Sequence, residues 1–490
     1  MHTPTSEQQA IIAAARDTAD NLLIPALAGA AKTSTLVMVA EALPDIEILC
    51  LAFNKKIAVE MQERLPRNCK AMTLNSLGHR TWSEAIGRRL RIESGKTYDI
   101  VKGLIEEQTR DDQRGLYDAM AELMRLVDFG KACGYIPTGT NERAKRLMDD
   151  EDFFPHLEQR LSPLEEDIIR GATIESLKQA MQGVCDFNDQ ILMPTIFHGA
   201  FPRYPLVLVD EAQDLSALNH ATLRKLCKRR LIAVGDPCQA IYGFRGAHED
   251  SMSKLRETFD MKELPLTISF RCPQAVVEHV RWRAPAMRWP DWARPGGVRT
   301  VGRWSAADLE EDATIICRNN APLFGIAIRL LKNGRTCQLD GKDIILGITK
   351  VMRKFGGSDM KQQAVLDRIA VWLENEKEKN KKRAHNRIED RAECMAIFAR
   401  QGATLGEALA YAQHLMNLHS PLKLMTGHKA KGLEFDQVYF LDAKLVGDED
   451  QEPNLRYVIC TRAKDTLTYI NSGDFMDGTA EPRMALSVCD

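Results

Sequence analysis

A stretch of small residues followed by a lysine and a threonine is the part of this chain best suited to bind a phosphate. In the segment ALAGAAKTST, Lys32 and Thr33 follow a turn that contains Gly29. The usual phosphate-binding loop has glycine, four residues, glycine, lysine and then threonine or serine. Alanines stand at both framing positions here, Ala26 and Ala31. The pattern predicts that Lys32 reaches the β and γ phosphates of a nucleotide and that the Thr33 hydroxyl ligates Mg²⁺.

The flanks of this loop predict a strand before it and a helix after it. Residues 21–28 are an apolar run typical of a buried strand, and residues 36–43 suit the start of a helix. A helix N-terminus behind a small-residue turn presents backbone N–H groups to a phosphate. A positive φ is often needed before the lysine, and it costs a non-glycine residue such as Ala31 roughly 1–2 kcal/mol. The expected phosphate-binding residues are Ala28, Gly29, Ala30, Ala31, Lys32, Thr33 and Ser34.

Two acids, Asp210 and Glu211, follow a second apolar run. The segment YPLVLVDEAQD predicts a buried strand that delivers both carboxylates at its C-terminal end. Carboxylates in that position suit a Mg²⁺ site beside the phosphates. We expect Asp210 to hold the metal, and Glu211 to orient and deprotonate the attacking water. The alternative is an ordinary strand end with solvated acids, and the presence of Lys32 and Thr33 upstream argues against it.

The order of these and further blocks resembles superfamily 1A DNA helicases of the UvrD/Rep type, from Gln8 to Arg462. The resemblance implies that Gln8 in TSEQQAII reads the adenine edge and that Gln239 in VGDPCQAIYGFRGA senses the γ-phosphate. In LTISFRC it implies that Phe270 stacks on the adenine and that Arg271 contacts the phosphates. It further implies nucleotide contacts by Gly432 and Glu434, and a second arginine finger at Arg462.

The same resemblance implies a set of side chains that contact DNA. They lie in the segments ILCLAFNKKIAVEM, TLNSLGHR, VGDPCQAIYGFRGA and LMTGHKAKGLEFDQVYF. Asn75 stands where the family usually has histidine, and AFNK followed by a TL-S-L block resembles the F-box DNA helicase and phage-type branch. The implied DNA-binding residues are Phe53, Asn54, Thr73, Asn75, Tyr242, Phe244, Arg245, Thr426, His428 and Lys431.

The resemblance implies an ATP- and Mg²⁺-dependent motor that translocates on single-stranded DNA, acts at single-strand/duplex junctions and unwinds DNA in the 3′–5′ direction. Two alternatives remain open. One is a DNA-stimulated ATPase that displaces bound proteins with little unwinding, which a short second insertion favours. The other is a DNA-binding protein with a decayed motor, which Ala26, Ala31 and Asn75 favour. Against decay, seven chemically demanding residues are retained: Lys32, Thr33, Asp210, Glu211, Gln239, Arg271 and Arg462.

Composition describes an ordinary globular protein without a membrane anchor. Of 490 residues, 44% are hydrophobic and 27% are charged, and the net charge of −2 excludes a uniformly basic nucleic-acid binder but not a basic groove. The 12 cysteines include no Cys-x-x-Cys pair, which argues against a zinc site and for reduced thiols. Without a leader or a spanning apolar run, we expect a cytoplasmic protein, or a nuclear one in a eukaryote, that is monomeric.

Alternation of strand and helix patterns predicts an α/β fold with parallel sheets and helices on both faces. By the resemblance, two RecA-like motor domains carry two mainly helical accessory insertions. The first motor domain is expected over residues 1–80 and 180–270, and its insertion over residues 81–179. The second motor domain is expected over residues 271–345 and 421–490, and a reduced helical insertion over residues 346–420.

Overall fold

The computed structural model describes residues 3–140, 147–157, 160–241, 250–379, 385–449 and 451–477. The chain divides into two compact units, residues 1–268 and 269–490. Each unit contains one six-stranded sheet in which every strand pair is parallel, so the predicted α/β class is confirmed. Among the described helices, none has the length and apolar character that crossing a membrane requires.

The sheet of the first unit brings three strand ends together. Its strands are β1 (Asn21–Pro25), β2 (Ile48–Leu51), β3 (Cys69–Met72), β6 (Tyr204–Val209), β7 (Cys227–Gly235) and β8 (Met261–Glu263). They lie in the order β3-β2-β6-β7-β1-β8. Because β7 lies between β1 and β6, the loops that follow these three strands meet at the carboxyl edge of the sheet, where ligands bind in such folds.

Helices cover both faces of this sheet because alternate strand residues point to opposite sides. Ile24 and Leu208 pack in one core with helices α1 and α2, while Leu23 and Val207 pack in the other with α4, α10 and α11. The helices around this sheet are α1 (Ser6–Asp17), α2 (Lys32–Glu41), α3 (Lys55–Arg64), α4 (Leu74–Ile86), α9 (Asp189–Ile196), α10 (Ala217–Leu226) and α11 (Ser251–Phe259).

A helical segment interrupts the first unit between α4 and α9. It contains α5 (Lys96–Glu106), α6 (Arg110–Cys133), α7 (Asp150–Phe153), α8 (Pro163–Met181) and the short parallel pair β4 (Arg91–Ile92) and β5 (Val184–Cys185). These helices bury their own core, which includes Ile100, Leu123 and Ile169. The predicted helical character of this insertion is therefore confirmed, and its predicted boundaries stay predictions.

The second unit repeats the parallel arrangement with a different strand order, β11-β12-β10-β13-β14-β9. Its strands are β9 (Gly297–Thr300), β10 (Thr314–Cys317), β11 (Gln338–Asp340), β12 (Lys423–Thr426), β13 (Phe435–Leu441) and β14 (Ala463–Ile470). Its helices are α12 (Gln274–His279), α13 (Asn320–Lys332), α14 (Lys342–Met352), α15 (Gln362–Lys379), α16 (His385–Ala399), α17 (Leu405–Met416), α18 (Gly427–Ala430) and α19 (Glu452–Cys460).

Helices α14 to α17 share one hydrophobic core with the sheet of the second unit. Ile345 and Phe398 from these helices pack in the same cluster as Ile315 and Leu424 from the strands. The carboxylate of Asp390 on α16 also accepts hydrogen bonds from the first backbone N–H groups of α13. The second helical segment is thus packed onto its sheet, whereas the first segment has a core of its own.

Candidate active site

The loop after β1 contains a glycine and an alanine in the left-handed region of backbone conformation. Ala26 continues the strand, since its N–H donates to Gly235 O at 2.8 Å, and it needs no special backbone angle. Gly29 has φ 75° and Ala31 has φ 57° and ψ 40°, so both lie in the left-handed region. The positive φ predicted before the lysine is therefore confirmed.

Helix α2 begins at Lys32, so its first turn contains the lysine and threonine of the loop. The predicted start at residue 36 is wrong, because Ser34 and Thr35 belong to the helix rather than to the turn. Ala31 stands at the N-cap and provides no capping side chain. The first N–H groups of the helix therefore lack the side-chain acceptor that usually satisfies them, and an anion can take its place.

Two direct contacts join this helix start to the acids after β6. Lys32 Nζ lies 2.9 Å from Glu211 Oε2, and the Thr33 hydroxyl donates to Asp210 Oδ2 at 2.8 Å. Glu211 itself has φ 55°, an uncommon conformation for a glutamate that turns the chain sharply after the strand. The four residues that the sequence grouped into one site are therefore neighbours in the fold.

A third acid, Asp236, joins this group and was missed by the sequence analysis. It follows β7 and is fully buried, its backbone N–H donates to Gln213 Oε1 at 3.0 Å, and its carboxylate accepts a hydrogen bond from Gln239 Nε2 at 2.6 Å. The signal was present, since LIAVGD repeats the pattern of an apolar strand that ends in an acid. Gln239, the predicted γ-phosphate sensor, is thus held by an acid of the site.

The concentration of charge changes the proton affinity of the site residues. Burial lowers the pKa of Lys32, but the carboxylates of Glu211, Asp210 and Asp236 outweigh it and raise the pKa above its usual value. Burial and the neighbouring Glu211 raise the pKa of Asp210 to about 6, although Lys32 and Thr33 oppose the shift. Burial likewise raises the pKa of Asp236. Three acids around one lysine leave the site short of positive charge.

Gln8, predicted to read the adenine edge, is buried and already has partners within its own unit. Its Oε1 accepts from the Thr5 N–H at 3.0 Å and completes a capping box at the start of α1. Its Nε2 donates to the Thr35 hydroxyl on α2 at 3.0 Å. The capping pattern TSEQ was readable from the sequence but was assigned only to adenine recognition.

In the second unit, Arg271 and Glu434 form an ion pair, with Nε 2.6 Å from Oε2. The ring of Phe270, the predicted adenine platform, stacks on the ring of Trp292, a residue that received no role from the sequence. Gly432 has φ 84°, as the turn before Glu434 requires. The predicted nucleotide residues of this unit thus occupy two adjoining segments.

Arg462, the predicted second arginine finger, is almost fully buried. Its guanidinium donates to Val458 O at 2.8 Å, to Leu433 O at 3.0 Å and to the Thr461 hydroxyl at 3.1 Å. The Leu433 contact ties Arg462 to the turn between Gly432 and Glu434. The structure therefore gives this arginine a local anchoring contact that the sequence did not predict.

The predicted DNA-binding residues of the first unit lie at loop ends and helix starts. Asn54 and Thr73 are the N-caps of α3 and α4, so their side chains satisfy backbone N–H groups. Asn75 Nδ2 donates to Phe187 O at 2.8 Å. Phe53 is 49% exposed and Phe187 is 69% exposed. Phe187 received no predicted role from the sequence, and its exposure becomes visible only in the structure.

The remaining predicted DNA contacts divide into two groups. Thr426 is buried at the end of β12, where it is the N-cap of α18, and His428 and Lys431 lie half-buried in and after that helix. Tyr242, Phe244 and Arg245 lie outside the described residues.

The turn that carries Phe187 is held by buried charges. Lys96 Nζ lies 2.6 Å from Asp189 Oδ2, and Lys131 Nζ lies 2.7 Å from Asp189 Oδ1 and also contacts Asp186. The side chains of Lys96, Lys131 and Asp189 have no exposed area. These ion pairs connect α5 and α6 of the helical segment to the start of α9.

Comparison with known proteins identifies the family of this chain. The family model described as the UvrD/REP helicase N-terminal domain matches residues 5–260, and the one described as the UvrD-like helicase C-terminal domain matches residues 347–473. The chain belongs to the UvrD/REP helicase family. The family predicted from the sequence is therefore confirmed, and with it the two-domain helicase architecture.

Individual relatives within the UvrD/REP family are distant in sequence. The chain is 25% identical to F-box DNA helicase protein 1 of Schizosaccharomyces pombe over 94% of its length and 57% of that protein. It is 25% identical to F-box DNA helicase 1 of Gallus gallus over 94% of its length and 48% of that protein. It is 24% identical to DNA helicase II of Escherichia coli over 72% of its length and 51% of that protein. The chain thus spans about half the length of these relatives.

Proposed function

We propose that this protein is a DNA-dependent ATPase that translocates on single-stranded DNA in the 3′–5′ direction and unwinds duplex DNA. The observation that carries the proposal is the pair of contacts Lys32–Glu211 and Thr33–Asp210 at the edge of a parallel sheet. A decayed motor has no use for a lysine, a hydroxyl and two acids in these positions. Membership in the UvrD/REP family supports the same activity.

The residues of the first unit fit a nucleotide triphosphate and its magnesium ion. Lys32 and the uncapped start of α2 suit the phosphates, and the Thr33 hydroxyl and the Asp210 carboxylate are oxygen ligands of the kind that Mg²⁺ prefers. The bound ion would neutralise phosphate charge as it develops during transfer. Among the described residues, no group of three or more His, Cys, Asp or Glu side chains could hold a metal alone. Phosphate oxygens and water would therefore complete the coordination.

Glu211 is the proposed general base, and its contact with Lys32 suggests how its activity depends on the substrate. The ammonium group of Lys32 pairs with the Glu211 carboxylate. Arriving phosphates compete for the same ammonium group, because they carry more negative charge than one carboxylate. Glu211 would then be free to accept a proton from water. Arg271 and Arg462 are the proposed arginine fingers.

The proposed DNA contacts of the first unit combine aromatic rings with helix starts. Phe53 and Phe187 expose their rings to solvent, and Asn75 fixes the backbone of Phe187. Exposed rings of this kind stack on bases of any identity, at about 1–3 kcal/mol per base. A motor that moves along DNA needs contacts that do not depend on sequence.

The first experiment is ATP hydrolysis with and without single-stranded DNA, in the wild type and in Lys32→Ala. We expect strong stimulation by DNA in the wild type and loss of hydrolysis in the variant, with DNA binding retained. Lys178→Ala, which removes a lysine that is 67% exposed, is the matched control and should hydrolyse ATP normally. Absence of hydrolysis in the wild type, with intact DNA binding, would favour a clamp or scaffold instead.

Direction and unwinding require duplexes with a single-stranded tail on one end. We expect unwinding of a duplex with a 3′ tail and none of a duplex with a 5′ tail. The reverse preference would refute the proposed direction and leave the ATPase assignment intact.

The packing of α14 to α17 supports a second candidate function, displacement of bound proteins with little unwinding. These helices share the core of their sheet instead of forming a separate body, so the reduced insertion lacks the independence of a duplex-handling domain. Removal of a protein filament from single-stranded DNA, without unwinding of a protein-free fork, would favour this function. Efficient unwinding of that fork would refute it.

A further inference from the structure

Phe270 and Trp292 form an exposed stack of two aromatic rings on the second unit. Their ring centroids are 6.2 Å apart and their planes differ by 26°. Phe270 is 36% exposed and Trp292 is 66% exposed. Aromatic side chains supply much of the energy of cores and interfaces when they are buried. A stacked pair that stays at the surface is therefore a site that a planar ligand can use.

The backbone holds the Trp292 loop close to the segment that carries Phe270. Gln274 Nε2 donates to Ala293 O at 2.8 Å, and the Gln274 backbone N–H donates to Arg294 O at 2.9 Å. Both acceptors follow Trp292 directly in the chain. The backbone position of the tryptophan is therefore set by hydrogen bonds and does not depend on the contact of its ring with Phe270.

The other end of the same loop is tied to the residue before Phe270. The Ser269 backbone N–H donates to Arg288 O at 2.8 Å. Ser269, before Phe270, and Gln274, after it, thus both donate hydrogen bonds to the loop that carries Trp292. Such a loop keeps the backbone of Trp292 in place, which lowers the entropy lost when a ligand binds.

The rings of Phe270 and Trp292 are in contact with each other. Their centroid distance of 6.2 Å lies within the range of contacting aromatic pairs, about 4.5–7 Å. A base held between two rings needs ring planes roughly 7 Å apart, because stacked aromatic carbon atoms are separated by about 3.5 Å. The exposed Trp292 side chain must therefore rotate away from Phe270 before a base can enter.

The residue that follows Phe270 identifies the class of ligand. Arg271 carries a guanidinium that forms an ion pair with Glu434 and is 21% exposed. An aromatic ring and an arginine in consecutive positions match the base and the phosphates of a nucleotide, because guanidinium groups bind phosphate oxygens well. Stacking alone would not distinguish one base from another.

We propose that Trp292 is the second wall of a base clamp, in which the base of ATP is held between Phe270 and Trp292. The proposal rests on the ATPase function proposed above and adds a binding residue to it. Because both walls recognise a π face, the clamp increases affinity for ATP and GTP alike.

The test compares Trp292→Ala with Trp292→Phe and with a matched control, Trp282→Ala. Trp282 is 50% exposed and lies in the same segment, but its ring faces the guanidinium of Arg456. We expect Trp292→Ala to raise the KM for ATP and for GTP by about 5- to 30-fold with kcat nearly unchanged, since a lost stack weakens ground state and transition state equally. Trp292→Phe should keep most of the affinity, and Trp282→Ala should match the wild type.

A fluorescence titration provides an independent readout. Addition of ATP should change the tryptophan emission of the wild type, and Trp292→Phe should abolish most of that change. Thermal unfolding shows whether each variant is folded. A KM unchanged in Trp292→Ala, with no ATP-dependent emission change, would overturn the clamp while hydrolysis left the ATPase function intact.

Two further outcomes would also overturn the clamp. A KM that falls in Trp292→Ala would mean that Trp292 covers Phe270 and competes with the base. An emission change caused by single-stranded DNA but not by ATP would assign Trp292 to the DNA track. If the wild type hydrolyses no ATP, the proposed function fails, and the ATP titration still decides whether the clamp binds a base.

Discussion

Lys32 Nζ lies 2.9 Å from Glu211 Oε2, so the lysine suited to bind phosphates neutralises the acid suited to activate water. We expect Glu211→Gln to retain ATP binding and to lower kcat by about 10²–10⁴-fold, the usual contribution of a general base. Hydrolysis rates and equilibrium nucleotide binding measure the two effects separately. Turnover near the wild-type rate would remove Glu211 from the role of base.

Ala31→Gly should raise stability and leave nucleotide affinity almost unchanged. The fold itself holds Ala31 in the left-handed conformation, so we expect its cost of roughly 1 kcal/mol to affect folding rather than nucleotide binding. The greater entropy of glycine in the unfolded chain offsets part of the gain. We therefore expect an increase in unfolding free energy of up to about 1 kcal/mol, measured by urea unfolding.

The neighbouring alanine provides the control for this substitution. Ala30 is buried beside Ala31 and is not among the residues with positive φ. Ala30→Gly should therefore lower stability by about 0.5–1 kcal/mol, the opposite sign to Ala31→Gly. Equal effects at the two positions would show that backbone strain at Ala31 is not the cause. Much tighter ATP binding by Ala31→Gly would show that the strain is incurred on binding.

Local sequence patterns were sufficient to predict the α/β fold and the proximity of Lys32 and Thr33 to Asp210 and Glu211. Apolar runs that end in Lys32–Thr33 and Asp210–Glu211 reveal strand ends, and strand ends of parallel sheets meet at one edge. The same pattern before Asp236 was overlooked because the block was assigned through Gln239. A pattern along the chain can therefore indicate where a candidate site lies without identifying every residue in it.

Features that depend on tertiary packing could not be predicted in this way. The stack of Phe270 on Trp292 joins residues of different segments, and no periodicity relates them. The burial of Arg462 and the shared core of α14 to α17 also arise from contacts between distant parts of the chain. The domain boundaries expected from the resemblance stay predictions.

Phe187→Ala should weaken binding of single-stranded DNA by about 10-fold and leave stability unchanged. The ring is 69% exposed, so its removal creates no cavity, whereas a lost base stack costs about 1–3 kcal/mol. Fluorescence anisotropy with a labelled oligonucleotide measures the affinity. Tyr98→Ala is the control, since it removes a 42% exposed aromatic residue outside the predicted DNA blocks. Equal affinities for Phe187→Ala and the wild type would contradict a DNA contact.

Lys131→Met should destabilise the first unit by about 3 kcal/mol or more. Its ammonium is buried between Asp186 and Asp189, and a buried carboxylate that loses its partner is costly. Lys96 still pairs with Asp189 and limits the loss. Urea unfolding measures the change in free energy.

The matched control for the buried lysine is Lys102→Met on α5. Its ammonium is exposed and lies 3.6 Å from Glu106, so the change in stability should stay within about 0.5 kcal/mol. If Lys131→Met were as mild as this control, the buried ion pairs would not hold the turn that carries Phe187.

Arg271→Ala and Arg462→Ala should differ in stability although both should lose hydrolysis. Arg271 is partly exposed and contacts one carboxylate, so its loss should change the unfolding free energy by no more than about 1 kcal/mol. Arg462 is buried and donates to Val458 O, Leu433 O and the Thr461 hydroxyl, and its removal leaves these acceptors without that donor. Val458 O still accepts from the Thr461 hydroxyl, which also keeps its bond to Tyr457 O, so the cost falls mainly on Leu433 O. Arg462→Ala should therefore be the less stable variant by about 1–3 kcal/mol.

Lysine at position 462 offers a sharper comparison, because it keeps the charge but not the planar fork. If Arg462 acts only as a finger, Arg462→Lys should be as stable as the wild type; if it anchors the turn at Glu434, stability and ATP affinity should fall together.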